Sequence, residues 1–326
     1  MAIALIAPGI YRIESVLGPR PFAQYLLWGG PEVGSRALLV DTGVVGTPDE
    51  AIVPALREIG LDPTALDWVL LSHADVDHVG GNAAMRAVAP RALFAAHALD
   101  AFWIGSCDRI LAERYGWYAA HGPDADYDDA TKTWLRDALG PAVPLDLHLS
   151  GGERFRLGPT LTVDLLHLPG HSPGHIGLWD AASRTAIITD AALGSGLLDH
   201  AGTVIHPPPY FDAAAYEGSI ARLRTLAPAL LLTAHYAPFE GAAVGEFLDR
   251  GAAFVARARA AVGAALSEGE VTLGGLLGRL GPALGPFTSM PNELAGPIRA
   301  HLRELVAAGR AEEIAGTPPA WRRIGA

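Results

Sequence analysis

Apolar positions along this chain switch between a period of two and a period near 3.6, and the switches mark its elements. The first 80 residues read as short strands joined by turns. The apolar start Met1–Ala7 before Pro8 is one, followed by Ile10–Ile13, Gln24–Trp28 and Ala37–Asp41, with punctuation such as Gly29-Gly30-Pro31. Thr47–Ile59 carries apolar residues at helical spacing, with Thr47 as the cap and Pro48 in the first turn. Trp68–Ser72 predicts another strand, Gly80-Gly81-Asn82 opens a helix through about Val88, and Ala92–Ala96 is the next strand. From Leu99 to Leu147 the pattern turns helical and aromatic, which predicts a helical insertion over residues 97–150. Strands Leu161–His167, Ile176–Trp179 and Thr185–Thr189, helix Ala213–Leu226 and strand Leu230–Thr233 follow. Beyond about Gly251 the chain is helical, with a Gly/Pro break at Gly281–Pro291, a helix at Asn292–Ala308 and a hairpin at Ala311–Ile324. Strands alternating with helices predict a layered α/β fold. The expected division is a large domain over residues 1–250 and a small, mostly helical region over 251–326.

Composition narrows the setting. Half of the 326 residues are hydrophobic and 18% are charged, ample for a buried core, and no apolar run is long enough to span a membrane. The first residues lack the basic segment of a signal peptide, and the single Cys107 excludes an intramolecular disulfide. Both observations point to the cytoplasm. The net charge of −11 disfavours nucleic acid and anionic membranes as partners. Residues 251–326 hold 8 basic against 6 acidic residues, or +2, leaving 16 against 29, or −13, for residues 1–250.

One stretch carries chemistry. His73-Ala74-Asp75-Val76-Asp77-His78 packs four candidate metal ligands into six residues at the end of a strand. No lysine or arginine lies near in sequence, so the run would be costly without a cation. Three later strand ends add to it: Gly170-His171 in a Gly/Pro-rich loop, Asp190 after Ile187-Ile188-Thr189, and His235 after Leu230–Ala234. Strand ends are where layered α/β folds place their sites.

The run resembles the His-x-His-x-Asp-His signature of the metallo-β-lactamase superfamily. Asp41-Thr42-Gly43, Gly170-His171, Asp190 and His235 resemble its remaining motifs, in the family's order, over about residues 5–240. The resemblance implies a four-layer αββα sandwich with a two-metal site at one edge. It implies that His73, Asp75 and His171 hold one metal, that Asp77, His78 and His235 hold the other, and that Asp190 bridges them, as in the thioesterase, lactonase and phosphodiesterase branches. Asp41 would sit behind the ligands and orient the loop. One position departs from the family: Asp75 stands where a second histidine is usual. A carboxylate is harder than imidazole and adds negative charge, which brings iron or manganese into range beside zinc.

The expected activity is hydrolysis of a small ester, thioester, lactone, amide or phosphoester by two divalent ions sharing a hydroxide, with Asp77 also relaying a proton. The alternative is a di-iron protein that binds oxygen or nitric oxide, motivated by Asp75. A true β-lactamase is disfavoured by the missing export signal and by Asp190, and a ribonuclease by the acidic charge. Trp103, Tyr115, Trp117, Tyr118 and His121 of the insertion are candidates for a pocket wall, as is Tyr210 in the stiff loop His206-Pro207-Pro208-Pro209. His175 and His206 are candidates for groups behind the ligands. The C-terminal region resembles the winged-helix-like appendages of some family members. Its weak charge favours packing, pocket closure or homodimer formation over DNA binding.

Overall fold

Alternate residues of the central strands face a second sheet, and the residues between them face helices. The computed structural model describes residues 3–266 and 269–324, so Met1 and Ala2 of the expected first strand lie outside the described residues. The first sheet holds β1 (Ile3–Ala7), β2 (Ile10–Leu17), β3 (Arg20–Trp28), β4 (Ala37–Val40), β5 (Trp68–Leu71), β6 (Leu93–His97) and β7 (Leu147–Leu149), in chain order. β1 to β4 pair antiparallel, and β4 to β7 pair parallel. The second sheet adds β8 (Arg154–Arg156), β9 (Thr162–His167), β10 (Ile176–Asp180) and β11 (Thr185–Thr189), then Leu230–Thr233 parallel to β11 and Phe239–Glu240 at the edge.

Tyr25, Leu27, Leu38, Val40 and Leu70 of the first sheet pack against Val163, Leu165, Leu178, Ile187 and Leu232 of the second. Each such side chain contributes about 1.5–3 kcal/mol by leaving water. The intervening Leu26, Leu39, Val69 and Leu71 turn outward to Ile52, Leu56 and Met85. On the other side Ala186, Ile188 and Leu231 share a core with Ile220 and Leu223 of helix Ala213–Leu226 and with Phe254 and Val255 of helix Ala242–Ala265. The result is the αββα sandwich that the resemblance implies.

Several expectations change in detail. Thr47 does not cap a helix: its Oγ1 accepts from Val44 N at 3.1 Å and closes the turn behind it, and Pro48–Ile52 forms a wide π-helical turn ahead of Val53–Glu58. Residues 97–150 are not all helical, because Leu147–Leu149 extends the first sheet. Pro282 does not end its helix: Leu273–Leu284 runs through it, and the hydrogen bond it removes falls in the last turn. Helix Ala242–Ala265 runs through residue 250 and leads into the C-terminal region. The C-terminal region comprises helices Leu273–Leu284 and Ala295–Ala307 and a three-stranded sheet ordered Val271–Thr272, Ala320–Arg323, Ala311–Ile314. Among the described residues no helix is long and apolar enough to cross a membrane.

Candidate metal centre

Strands of both sheets end at one edge of the sandwich, and their next residues converge there. Asp41 follows β4, Ser72 and His73 follow β5, Asp190 follows β11, and His235 follows Leu230–Thr233. Asp77 and His78 sit on the short helical turn Val76–Val79. Two non-glycine residues at these ends, Asp41 (φ 63°) and Thr189 (φ 41°), occupy the left-handed region, a strain typical of functional edges. His171 is aimed by Gly170, whose φ of 130° and close approach to the Tyr216 backbone leave no room for a Cβ atom.

The histidines share one orientation. His78 Nδ1 donates to Asp41 Oδ2 at 2.7 Å and His171 Nδ1 to the Pro209 carbonyl at 2.7 Å. His235 Nδ1 donates to the Pro21 carbonyl at 3.3 Å. Ser72 Oγ donates to Asp41 Oδ2 at 2.8 Å, so it accepts from His73 Nδ1 at 2.9 Å. Each Nδ1 thus carries a proton, and the four Nε2 atoms face a common space; against burial, Asp41 and Asp190 raise the pKa of His78 and Asp75 raises that of His171, so there a metal would displace the Nε2 proton. Ligand atoms of His73, Asp75 and His171 lie within 4.8 Å of one another, as do those of Asp77, His78 and His235. Asp190 joins His73 and His78 in a third such group and approaches His235 Nε2 at 3.3 Å, so it stands between the other two. His73 Nε2, His78 Nε2 and Asp190 Oδ1 are buried without a hydrogen-bond partner. Buried, unpaired and convergent, these atoms fit divalent cations.

The sequence profile of the metallo-beta-lactamase superfamily matches residues 19–235. The chain belongs to that superfamily. A metallo-beta-lactamase family protein from Thermus thermophilus superposes at a TM-score of 0.71 and 21% identity, covering 98% of this chain and 100% of the other. A beta-lactamase domain protein from Burkholderia ambifaria superposes at 0.74 and 20% identity, over 99% and 93%. The stereoselective inverting sec-alkylsulfatase from Pseudomonas sp. superposes at 0.61 and 18% identity, over 91% of this chain but 49% of its own. These likenesses are of fold. No curated protein sequence matches the chain significantly.

The departure from the family signature at Asp75 has a physical counterpart that its local sequence hides. Arg114, in the insertion, approaches both oxygens of Asp75, at 2.7 and 2.9 Å. The run is therefore not free of basic neighbours, and the extra negative charge expected from Asp75 is cancelled. Burial opposes the Asp75 carboxylate, but Arg114 and then His171 hold its pKa well below the ordinary value. The remaining oxygen valence still faces His171 Nε2 at 3.0 Å and His73 Nε2 at 3.5 Å, where a metal would sit. His73 is pushed down to about 4 by burial and by His78, which keeps it neutral and able to ligate.

A cavity of about 30 Å³ lies over the ligands, bordered by Asp75, Asp77, His171, Asp190 and His235. It has room for the reacting atoms and little more. Its remaining wall includes Arg20, Tyr115, Trp134, His206, Met290 and Glu293. Of the six aromatic and histidine candidates for that wall, Tyr115 borders the cavity, and its hydroxyl accepts from Val76 N at 3.0 Å. The other five lie elsewhere. Trp103 donates to Glu113 at 3.1 Å. Trp117 stacks on Tyr118 and lies under Arg299, and His121 packs beside Trp321. Tyr210 donates to His301 Nε2 at 2.8 Å. Trp117, His121 and Tyr210 thus join the insertion and its neighbouring loop to the C-terminal region, a contact that local sequence does not reveal. His175 stacks on His73 at 4.8 Å and contacts Thr189 Oγ1 at 3.1 Å, supporting a ligand without being one of the three groups. Glu293, from the C-terminal region, accepts from Tyr127 at 2.8 Å and faces His206 Nε2 at 3.3 Å. Arg20, Arg114 and Glu293 carry no motif that marks them in the sequence. Each is distant along the chain from the metal run, and only folding brings it to the site.

Proposed function

We propose that the protein is a binuclear metal-dependent hydrolase of a small ester, thioester, lactone, amide or phosphoester. The observation that carries this reading is the set of four histidines pinned through Nδ1, with their Nε2 atoms converging among three carboxylates. His73, Asp75 and His171 would hold one ion, Asp77, His78 and His235 the other, and Asp190 would touch both. When bound, two divalent ions supply Lewis acidity and activate water near neutral pH. Zinc is the leading ion.

The chain's own residues do the rest. Asp41 fixes both His78 and Ser72, and through Ser72 it fixes His73. Asp77 borders the cavity, and it would take the proton released as water attacks. Met290 borders both this cavity and a groove of about 1030 Å³ between residues 124–131 and the C-terminal region. The scissile group fits the cavity, and the rest of the substrate fits the groove. No membrane or nucleic acid enters this reading, and the reaction is that of a cytoplasmic enzyme on a small molecule.

A panel of lactones, thioesters, phosphodiesters and β-lactams tests the proposal. One class should be turned over, with activity abolished by chelation and restored by zinc. Inertness of the zinc-loaded protein across the panel would refute it. Asp75 favours a second reading, a di-iron centre that binds oxygen or nitric oxide. Oxo-bridged iron absorption responding to oxygen would support that reading, and colourless protein holding two zinc ions would remove it.

A further inference from the structure

Among the described residues three arginines are buried: Arg12 and Arg20 are 8% exposed and Arg114 is 6% exposed. Arg12 is paired with Glu14 and Arg114 with Asp75. Arg20 forms no hydrogen bond or ion pair with any described residue, although it borders the same cavity as Asp77, Asp190 and His235. Its guanidinium nitrogens keep access to the cavity's water and have no acceptor from the protein, so they are free to donate to an anion that enters.

Its direction follows from the strand. Arg20 opens β3, paired with Leu17, and residues two apart on a strand share a face. Phe22, two residues on, stacks on His235 at 5.2 Å and meets His78 edge-on at 5.7 Å. Arg20 therefore projects on the side of the metal histidines, beside Trp134, which packs near Phe22 and also borders the cavity.

We propose that Arg20 is the anion-binding residue of the substrate cavity, and that the substrate carries a compact oxyanion next to the bond that is hydrolysed. This rests on the hydrolase reading and names its substrate class: a carboxylate-, phosphate- or sulfate-bearing molecule. The guanidinium fork matches such groups in two parallel hydrogen bonds.

The test is calorimetric titration of zinc-loaded protein with inorganic phosphate, sulfate and acetate, for the wild type, R20Q and R20K. Zinc content and far-UV circular dichroism establish that the variants remain folded and loaded. The wild type should bind at least one of the three anions. R20Q should weaken that binding about 10- to 100-fold, and R20K should fall between, because it keeps the charge and loses the fork. The rank of acetate against the two tetrahedral anions separates a carboxylate from a phosphate or sulfate. Equal affinity in wild type and R20Q, or no binding of any of the three by the wild type, would overturn the inference. Turnover does not enter this measurement. Arg20-dependent binding by a protein that hydrolyses nothing refutes the hydrolase reading alone, and hydrolysis with Arg20-independent binding refutes this inference alone.

Discussion

Asp75 and Arg114 together should behave as a neutral replacement for the histidine usual at this place in the family. Both are buried, at 9% and 6% exposure, and they meet at 2.7 and 2.9 Å. Removing one partner of such a pair leaves an uncompensated charge, at about 3–5 kcal/mol. In metal-free protein, Arg114→Met strands the Asp75 carboxylate, which keeps its contacts with His171 at 3.0 Å and His73 at 3.5 Å. Asp75→His strands the guanidinium, which keeps its place over the Phe211 ring at 4.3 Å. These residual contacts put both losses near 3 kcal/mol. The double variant holds neither charge and restores the family's histidine, so it should lie within about 1–2 kcal/mol of the wild type. Urea unfolding of EDTA-treated protein, followed by far-UV circular dichroism, gives the four stabilities. Single losses that simply add in the double variant, within about 0.5 kcal/mol, would refute the coupling.

Other parts of the site give further expectations. Asp41→Asn keeps the shape but loses the charged acceptor of His78 and Ser72, and metal affinity against a chelating dye should fall about 10- to 100-fold. An unchanged affinity would remove Asp41 from its orienting role. Tyr210→Phe takes the donor from His301 Nε2 and should cost about 1–3 kcal/mol of stability, with kcat/KM unchanged for whichever substrate the panel reveals. A selective loss of kcat/KM would put Tyr210 in the pocket after all. Glu293 tests the C-terminal contact through pH. Burial opposes its carboxylate, but His206 and Tyr127 outweigh burial and set its folded pKa below the ordinary value. A depressed folded pKa contributes stability above the unfolded value, about 4.3, and loses it as pH falls through the folded value. The stability gap between wild type and Glu293→Gln should be wide at pH 7 and close in acid, and a gap constant with pH would contradict the assignment.

The sandwich was legible because its strands are long, apolar and bounded by glycine and proline. Val69–Leu71 and Ile187–Thr189 could not be solvated edges. The convergence of the seven candidate ligands was legible because strand-end His and Asp residues in one fold meet at one edge. Short elements escaped, since Leu147–Leu149 and Arg154–Arg156 are three residues each and set no period. Pro282 misled because a proline in the last helical turn costs less than one at the centre. Five of the six wall candidates lie away from the small cavity for a different reason. Trp117, Tyr118 and His121 are aromatic because the insertion packs on the C-terminal region, and composition cannot tell an internal seam from a binding wall. Arg114 shows the limit most plainly, since a partner 39 residues from Asp75 changes the charge of the first site without a trace in the local motif.

The central claim is that this edge of the sandwich holds two ions. Anomalous diffraction from zinc-soaked crystals, measured on either side of the zinc absorption edge, tests it directly. The account predicts two peaks per chain, one among His73, Asp75 and His171 and one among Asp77, His78 and His235, with Asp190 in contact with both. A single peak, or density held by other residues, would contradict it.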